Sequence, residues 1–200
     1  MSEAGHKLSF LKEEERVLPT YPVEHLKRLI DFKPKGFYQS RLHALILTIL
    51  DTGLRVEEAL RLRKTEIDFD NMVFRVQGKG NKERLIAFSY GLRKTLYAWS
   101  HKHEHIYLFP TSDGGRLMRR NTLRDFKLLC KRLGFVAVPR SIHALRHTFA
   151  VNYLRQGGSV FHLQKALGHT SLEMSRRYAN LLTEDLQEMQ QKVSILNRYR

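Results

Sequence analysis

A tyrosine stands nine residues after a histidine in Leu167-Gly168-His169-Thr170-Ser171-Leu172-Glu173-Met174-Ser175-Arg176-Arg177-Tyr178, and upstream lies Ser141-Ile142-His143-Ala144-Leu145-Arg146-His147. A phenol in that company reads as a nucleophile, with imidazoles to move its proton and a guanidinium to hold an anionic substrate. His143 and Arg146 are three apart, so on a helix their side chains share a face, with His147 close to it. A zinc-binding helix of the metalloprotease type needs glutamate directly after its first histidine; Ala144 stands there, so no metal is expected. A helical histidine by itself is more often a hydrogen-bonded packing residue. The arginine and the downstream tyrosine turn the reading toward chemistry.

Two further segments carry charge at special backbone positions. Thr52-Gly53-Leu54-Arg55-Val56-Glu57-Glu58 sets Arg55 just past a glycine break, where the backbone can aim a guanidinium at a fixed point. On spacing alone the commoner reading of Arg55 is a surface arginine paired with Glu58 or Glu57. Gly78-Lys79-Gly80-Asn81-Lys82-Glu83-Arg84 links two strand-like runs and lacks the P-loop pattern, which leaves Lys79 as a lysine on a hairpin tip. His101, His103 and His105 alternate along the chain but fit a solvated loop better than a metal site. The single cysteine, Cys130, excludes an internal disulfide and reads as a small core residue.

Composition narrows the partner. The 200 residues suffice for one well-buried domain, and 35 Lys plus Arg against 20 Asp plus Glu leave a net charge of +15. Such an excess favours a polyanion, with double-stranded DNA ahead of an anionic membrane surface. No run approaches the roughly 18 apolar residues of a membrane span, and the first ten residues lack a signal-peptide core, so a cytoplasmic, nucleoid-associated protein is expected.

The elements that must hold these groups are mostly helical. A polar stretch over residues 1–17 reads as a linker or frayed start, and folded structure is expected over 18–196. Helical signals cover residues 23–30, then the apolar run 41–50, which breaks at Asp51-Thr52-Gly53 and resumes over 55–62. Strand patterns over 72–77 and 84–88 flank the basic glycine-rich tip. Helical periodicity returns over 92–100 and 122–133, with Trp99 and the phenylalanines assigned to the core. Ser141, Ser159 and Ser171 are candidate caps for three more helices, the last carrying Tyr178, and a final helix starts near Thr183. Its Leu186, Met189, Val193 and Leu196 recur at helical spacing and form an apolar stripe. The fold class is α+β, mostly α with a small antiparallel sheet.

Taken together, Thr52-Gly53-Leu54-Arg55, Gly78-Lys79-Gly80-Asn81-Lys82, His143-Ala144-Leu145-Arg146-His147, Leu167-Gly168-His169 and Tyr178 resemble, in order and spacing, the motifs of the tyrosine recombinases, the phage-integrase family. The resemblance implies a catalytic set of Arg55, Lys79, His143, Arg146, His169 and Tyr178, with Tyr178 the nucleophile. It implies the catalytic-domain fold of that family over residues 18–196, with the amino-terminal core-binding domain absent from this chain. It implies a site-specific recombinase or integrase that cleaves and rejoins DNA through a 3′-phosphotyrosyl bond, with no cofactor, metal or ATP. A DNA-dependent homo-oligomer, a tetrameric synapse joined through the C-terminal helix, is implied as the working assembly. The alternatives are relaxation of DNA by type IB topoisomerase-like chemistry and a catalytically inert DNA-binding protein.

Overall fold

The computed structural model describes residues 18–77, 83–168 and 194. Outside the described residues lie the expected linker over 1–17, the hairpin tip with Lys79, and His169, Tyr178, the helix assigned to Ser171 and the apolar stripe after Thr183.

The chain runs α1 (Val23–Ile30), α2 (Gly36–Thr52), α3 (Val56–Arg61), β1 (Ile67–Asp68), β2 (Val73–Gln77), β3 (Glu83–Ala87), α4 (Tyr90–Ser100), α5 (Arg119–Arg132), α6 (Ile142–Arg155) and α7 (Val160–Leu167). The apolar run read as a buried helix is the centre of the molecule. Ala44, Leu45, Ile46 and Ile49 of α2 are almost wholly excluded from solvent, and α2 packs on α6, α4, α3 and α5. Each such Leu or Ile contributes roughly 1.5–3 kcal/mol by leaving water. α2 starts at Gly36 rather than near residue 41, because its first turn is amphiphilic and gives no apolar run to read. α5 likewise begins at Arg119, three residues before the apolar pattern starts at Thr122.

The sheet is antiparallel with order β1-β2-β3. Phe74 pairs with Ile86, and both are buried, so one face of the hairpin is pinned to the core while Arg75, Gln77 and Leu85 face outward. β1 escaped the sequence reading because two residues give no alternation to detect.

Trp99 lies in the core, its Nε1 donating to the Leu108 carbonyl at 2.7 Å. Cys130 is fully buried, and burial pushes its thiol up to about 12, so it is an inert packing residue. The loop histidines correct one expectation: His101 is exposed, but His103 is buried against Trp99 and Phe37, with a pKa lowered to about 4 chiefly by burial. A second apolar cluster, with Leu18, Ala150, Val151, Leu154, Leu163 and Leu167, ties α7 to α6. No helix among the described residues is long and apolar enough to cross a membrane.

Candidate active site

The glycine break after α2 is a left-handed cap: Gly53 has φ +66° and its N–H donates to the Ile49 carbonyl at 2.9 Å. A side chain here is impossible without rearrangement, because a Cβ would stand 2.4 Å from Phe149 Cδ1 and 2.8 Å from Leu167 Cδ2. The turn points the Gly53 carbonyl at α6, where Arg146 Nη1 donates to it at 2.6 Å. Arg146 Nη2 donates to the Leu167 carbonyl at 2.8 Å, so one buried guanidinium joins the end of α2 to the end of α7.

Arg55 occupies the N-cap of α3. Glu58, one turn on, accepts from the Arg55 backbone N–H at 2.9 Å and from Arg55 Nη1 at 3.0 Å. Arg55 Nη2 reaches the Gly168 carbonyl at 3.4 Å. The pairing with Glu58 read from the sequence is present, and the same guanidinium also reaches the end of α7. Arg84, from β3, completes the arrangement by donating to Glu58 Oε2 at 2.9 Å and to the Ala166 carbonyl at 3.3 Å. Burial alone would raise the Glu58 carboxyl, but the hydrogen bonds and charges of Arg84 and Arg55 outweigh it and hold the group below its ordinary value.

The last carbonyls of a helix have no partner within the helix and form the negative end of its dipole. At the end of α7 the carbonyls of Ala166, Leu167 and Gly168 receive Arg84, Arg146 and Arg55 respectively. Gly168 itself is left-handed, φ +60°, and a Cβ there would stand 2.9 Å from Arg84 Cζ. Three arginines distant in sequence thus converge on the residues that lead directly into His169.

His143 sits in the first turn of α6, one turn before Arg146, and its Nε2 faces Arg119 Nη2 of α5 at 2.8 Å. Its pKa is lowered by burial first and then by Arg119, Arg146 and Arg140, against a smaller raising effect of Glu57. His147 is buried, and burial followed by Arg140, Arg146 and His143 lowers its pKa to about 4, which suits a neutral packing residue. Ser141 precedes α6 at a left-handed φ of +46° but does not cap it, and its Oγ has no hydrogen-bond partner among the described residues. Ser159 likewise occupies the N-cap of α7 without a side-chain bond.

Of the residues singled out from the sequence, Arg55 and Arg146 share one network and His143 stands on the same helix as Arg146. Lys79, His169 and Tyr178 lie outside the described residues, although Gly168, which precedes His169 in the sequence, is part of this network. Sequence reasoning missed Glu58 as a hub, Arg84 as the strut from the hairpin, and Arg119 as the partner of His143. Arg84 closes the basic hairpin segment and could have drawn notice there; nothing in the chain pairs Arg119 with His143 before folding. Beside the site a cleft of about 440 Å³ is lined by Glu57, Glu58, Arg61, Arg63, Arg75 and Arg116. A shallower basic groove of about 500 Å³ runs along α5 at Arg119, Arg120, Leu123, Arg124 and Lys127.

Comparison with known proteins matches residues 21–185 to the phage integrase family. The tyrosine recombinase XerD of Brucella abortus biovar 1 (strain 9-941) is 34% identical over 157 residues, covering 74% of this chain and 51% of that protein. The crystal structure of XerA recombinase superimposes with a TM-score of 0.74 at 26% identity, covering 92% of this chain and 66% of that one. The XerH site-specific recombinase bound to palindromic difH substrate, a post-cleavage complex, gives a TM-score of 0.72 at 26% identity, over 87% of this chain and 53% of that one. The chain spans about half the length of the first curated relatives it matches.

Proposed function

This chain belongs to the phage integrase family, and we propose that it is a site-specific tyrosine recombinase that cuts and rejoins double-stranded DNA. The observation that carries the reading is the convergence of Arg55 and Arg146 on the carbonyls of Gly168 and Leu167, the residues that precede His169 in the sequence. The net charge of +15 and the basic groove of α5 support DNA as the substrate, and the related XerH site-specific recombinase is bound to its palindromic difH substrate.

A phosphodiester repels nucleophiles, and its pentavalent transition state gathers more charge on the non-bridging oxygens. Two permanently protonated guanidiniums stabilise that state selectively, which is the role given to Arg55 and Arg146. The Tyr178 phenol, ordinarily with a pKa near 10, attacks phosphorus as its proton passes to His143. His169 donates a hydrogen bond to a non-bridging oxygen. The bond to the 5′ oxygen breaks, and Lys79 protonates that leaving alkoxide. The product is a 3′-phosphotyrosyl bond and a free 5′ hydroxyl. Because phosphodiester energy is retained, a 5′ hydroxyl of another strand attacks the same phosphorus, Tyr178 leaves, and the strand is rejoined without ATP or metal.

In this reading residues 18–196 are the catalytic domain and 1–17 a linker. The working assembly is a tetrameric synapse on DNA, coupled through the stripe of Leu186, Met189, Val193 and Leu196, and the place of work is the cytoplasm, at the nucleoid. The test is covalent trapping on nicked suicide substrates. Tyr178→Phe is expected to bind DNA but form no denaturant-stable adduct, and Arg55→Ala and Arg146→Ala to cleave about a hundredfold more slowly. An adduct formed by Tyr178→Phe overturns the nucleophile assignment.

A further inference from the structure

We propose that Arg119 is a positioning residue for His143, holding it in the tautomer whose Nε2 accepts protons and exchanging that contact for a DNA phosphate when substrate arrives. The proposal rests on the reading of His143 as the proton acceptor and deepens it. Its basis is the 2.8 Å contact between Arg119 Nη2 and His143 Nε2. A guanidinium has only donors and stays protonated in proteins. Across a donor of that kind Nε2 must accept, so it carries no proton, and the ring is neutral with its hydrogen on Nδ1. A doubly protonated imidazole cannot occupy this geometry.

The setting reinforces the constraint. The charged groups acting on His143 are Arg119 from α5, Arg140 from the preceding loop and Arg146 from its own helix, with Glu57 of α3 opposing them. Arg119 also occupies an electrostatically poor place for its own helix: it opens α5, whose first turn contains no acid and is followed by Arg120. Cations at a helix N-terminus work against the helix dipole. The pair is therefore unexplained by helix stability and is accounted for by what it faces. Arg119 is exposed and lines the basic groove with Arg120, Arg124 and Lys127, so a phosphate in that groove competes directly for its guanidinium. Capture by phosphate frees the Nε2 lone pair with the tautomer already set. Before DNA binds, the same contact keeps the base masked and neutral.

The experiment compares the full chain with Arg119→Ala and Arg119→Lys, after circular dichroism and DNA-binding measurements establish that each is folded. Nitrogen-15 imidazole spectra of the free protein report the tautomer and titration of His143, and single-turnover cleavage at subsaturating DNA across pH reports the acid limb of the free enzyme. For Arg119→Ala the expected result is a mixed tautomer and a raised His143 midpoint. The acid limb of cleavage moves to higher pH by the same amount, and Arg119→Lys restores most of both. Unchanged tautomer and midpoint in Arg119→Ala overturn the proposal, even if the rate falls uniformly, since that pattern belongs to a phosphate contact alone. A shifted His143 with an unmoved acid limb is distinguishable from this: the contact stands, but the proton-transfer role of His143 and any positioning role in the reaction fall.

Discussion

Replacing Glu58 by Gln removes one negative charge from between two arginines while keeping the side-chain shape. Arg84 is the group most affected, because its side chain is 14% exposed and Glu58 is its only ion-pair partner among the described residues. Removing one member of a buried pair and stranding the other typically costs about 3–5 kcal/mol. The amide oxygen can still accept from the Arg55 N–H, so the lower part of that range is expected for Glu58→Gln, read as a reduced midpoint in urea unfolding with unchanged slope. A second variant isolates the cause: Glu58→Gln with Arg84→Met removes both charges and should recover a large part of the loss. pH supplies an independent check. The folded carboxyl is held below its ordinary 4.5, so its contribution is present above that value and is lost as pH falls through the folded titration. Glu58→Gln should therefore flatten the acid side of the stability profile below about pH 4.5. A loss under about 1 kcal/mol, or a double variant no better than the single one, would refute the idea that Glu58 is the hub. Arg55 should also lose its aim, so suicide-substrate cleavage is expected to slow more than DNA binding weakens.

Gly53→Ala combines a left-handed φ of +66° with a Cβ 2.4 Å from Phe149, and the two penalties together amount to roughly 2–5 kcal/mol. Thermal unfolding is the measurement, and a variant within about 0.5 kcal/mol of the parent would mean that Phe149 and Leu167 yield freely. His147 tests burial by pH. Its pKa is lowered to about 4 from 6.5, so the unfolded chain takes up a proton that the fold refuses, and stability falls as pH drops through that window. The limiting slope is about 1.4 kcal/mol per pH unit for one such group. His147→Gln should reduce the slope while His103, also lowered to about 4, retains its share; an undiminished slope would assign the effect elsewhere.

The helix expected over residues 23–30 matches α1, Val23–Ile30, residue for residue, because Pro19 and Pro22 before it and the Pro34-Lys35-Gly36 turn after it are local punctuation that suffices to bound a short helix. The helix of the first histidine was legible for a similar reason, although Ser141 precedes it without capping it. The candidate residues could be picked out because guanidiniums, imidazoles and a phenol are rare in that combination, and their types are what the proposed phosphate chemistry asks for. The hub was not legible. Glu58 read as a surface partner of Arg55, and Arg84 as the tail of a hairpin motif, since nothing local states that β3 will lie against α3 and the end of α7.

What the sequence determined by itself was therefore the inventory and the local geometry: which helices form, where glycine permits a left-handed turn, and which side chains can carry charge or accept a proton. Tertiary structure alone decided which of those groups meet. Arg55, Arg84 and Arg146 each donate to a carbonyl at the end of α7, Arg55 and Arg84 also share the Glu58 carboxylate, and His143 meets an arginine from another helix. The physical reason is range. Helix periodicity, turn chemistry and capping act over a few residues and are written in short windows of sequence, whereas burial of α2 against α6 and of α7 against both brings together groups whose attraction has no local signature until the core has formed.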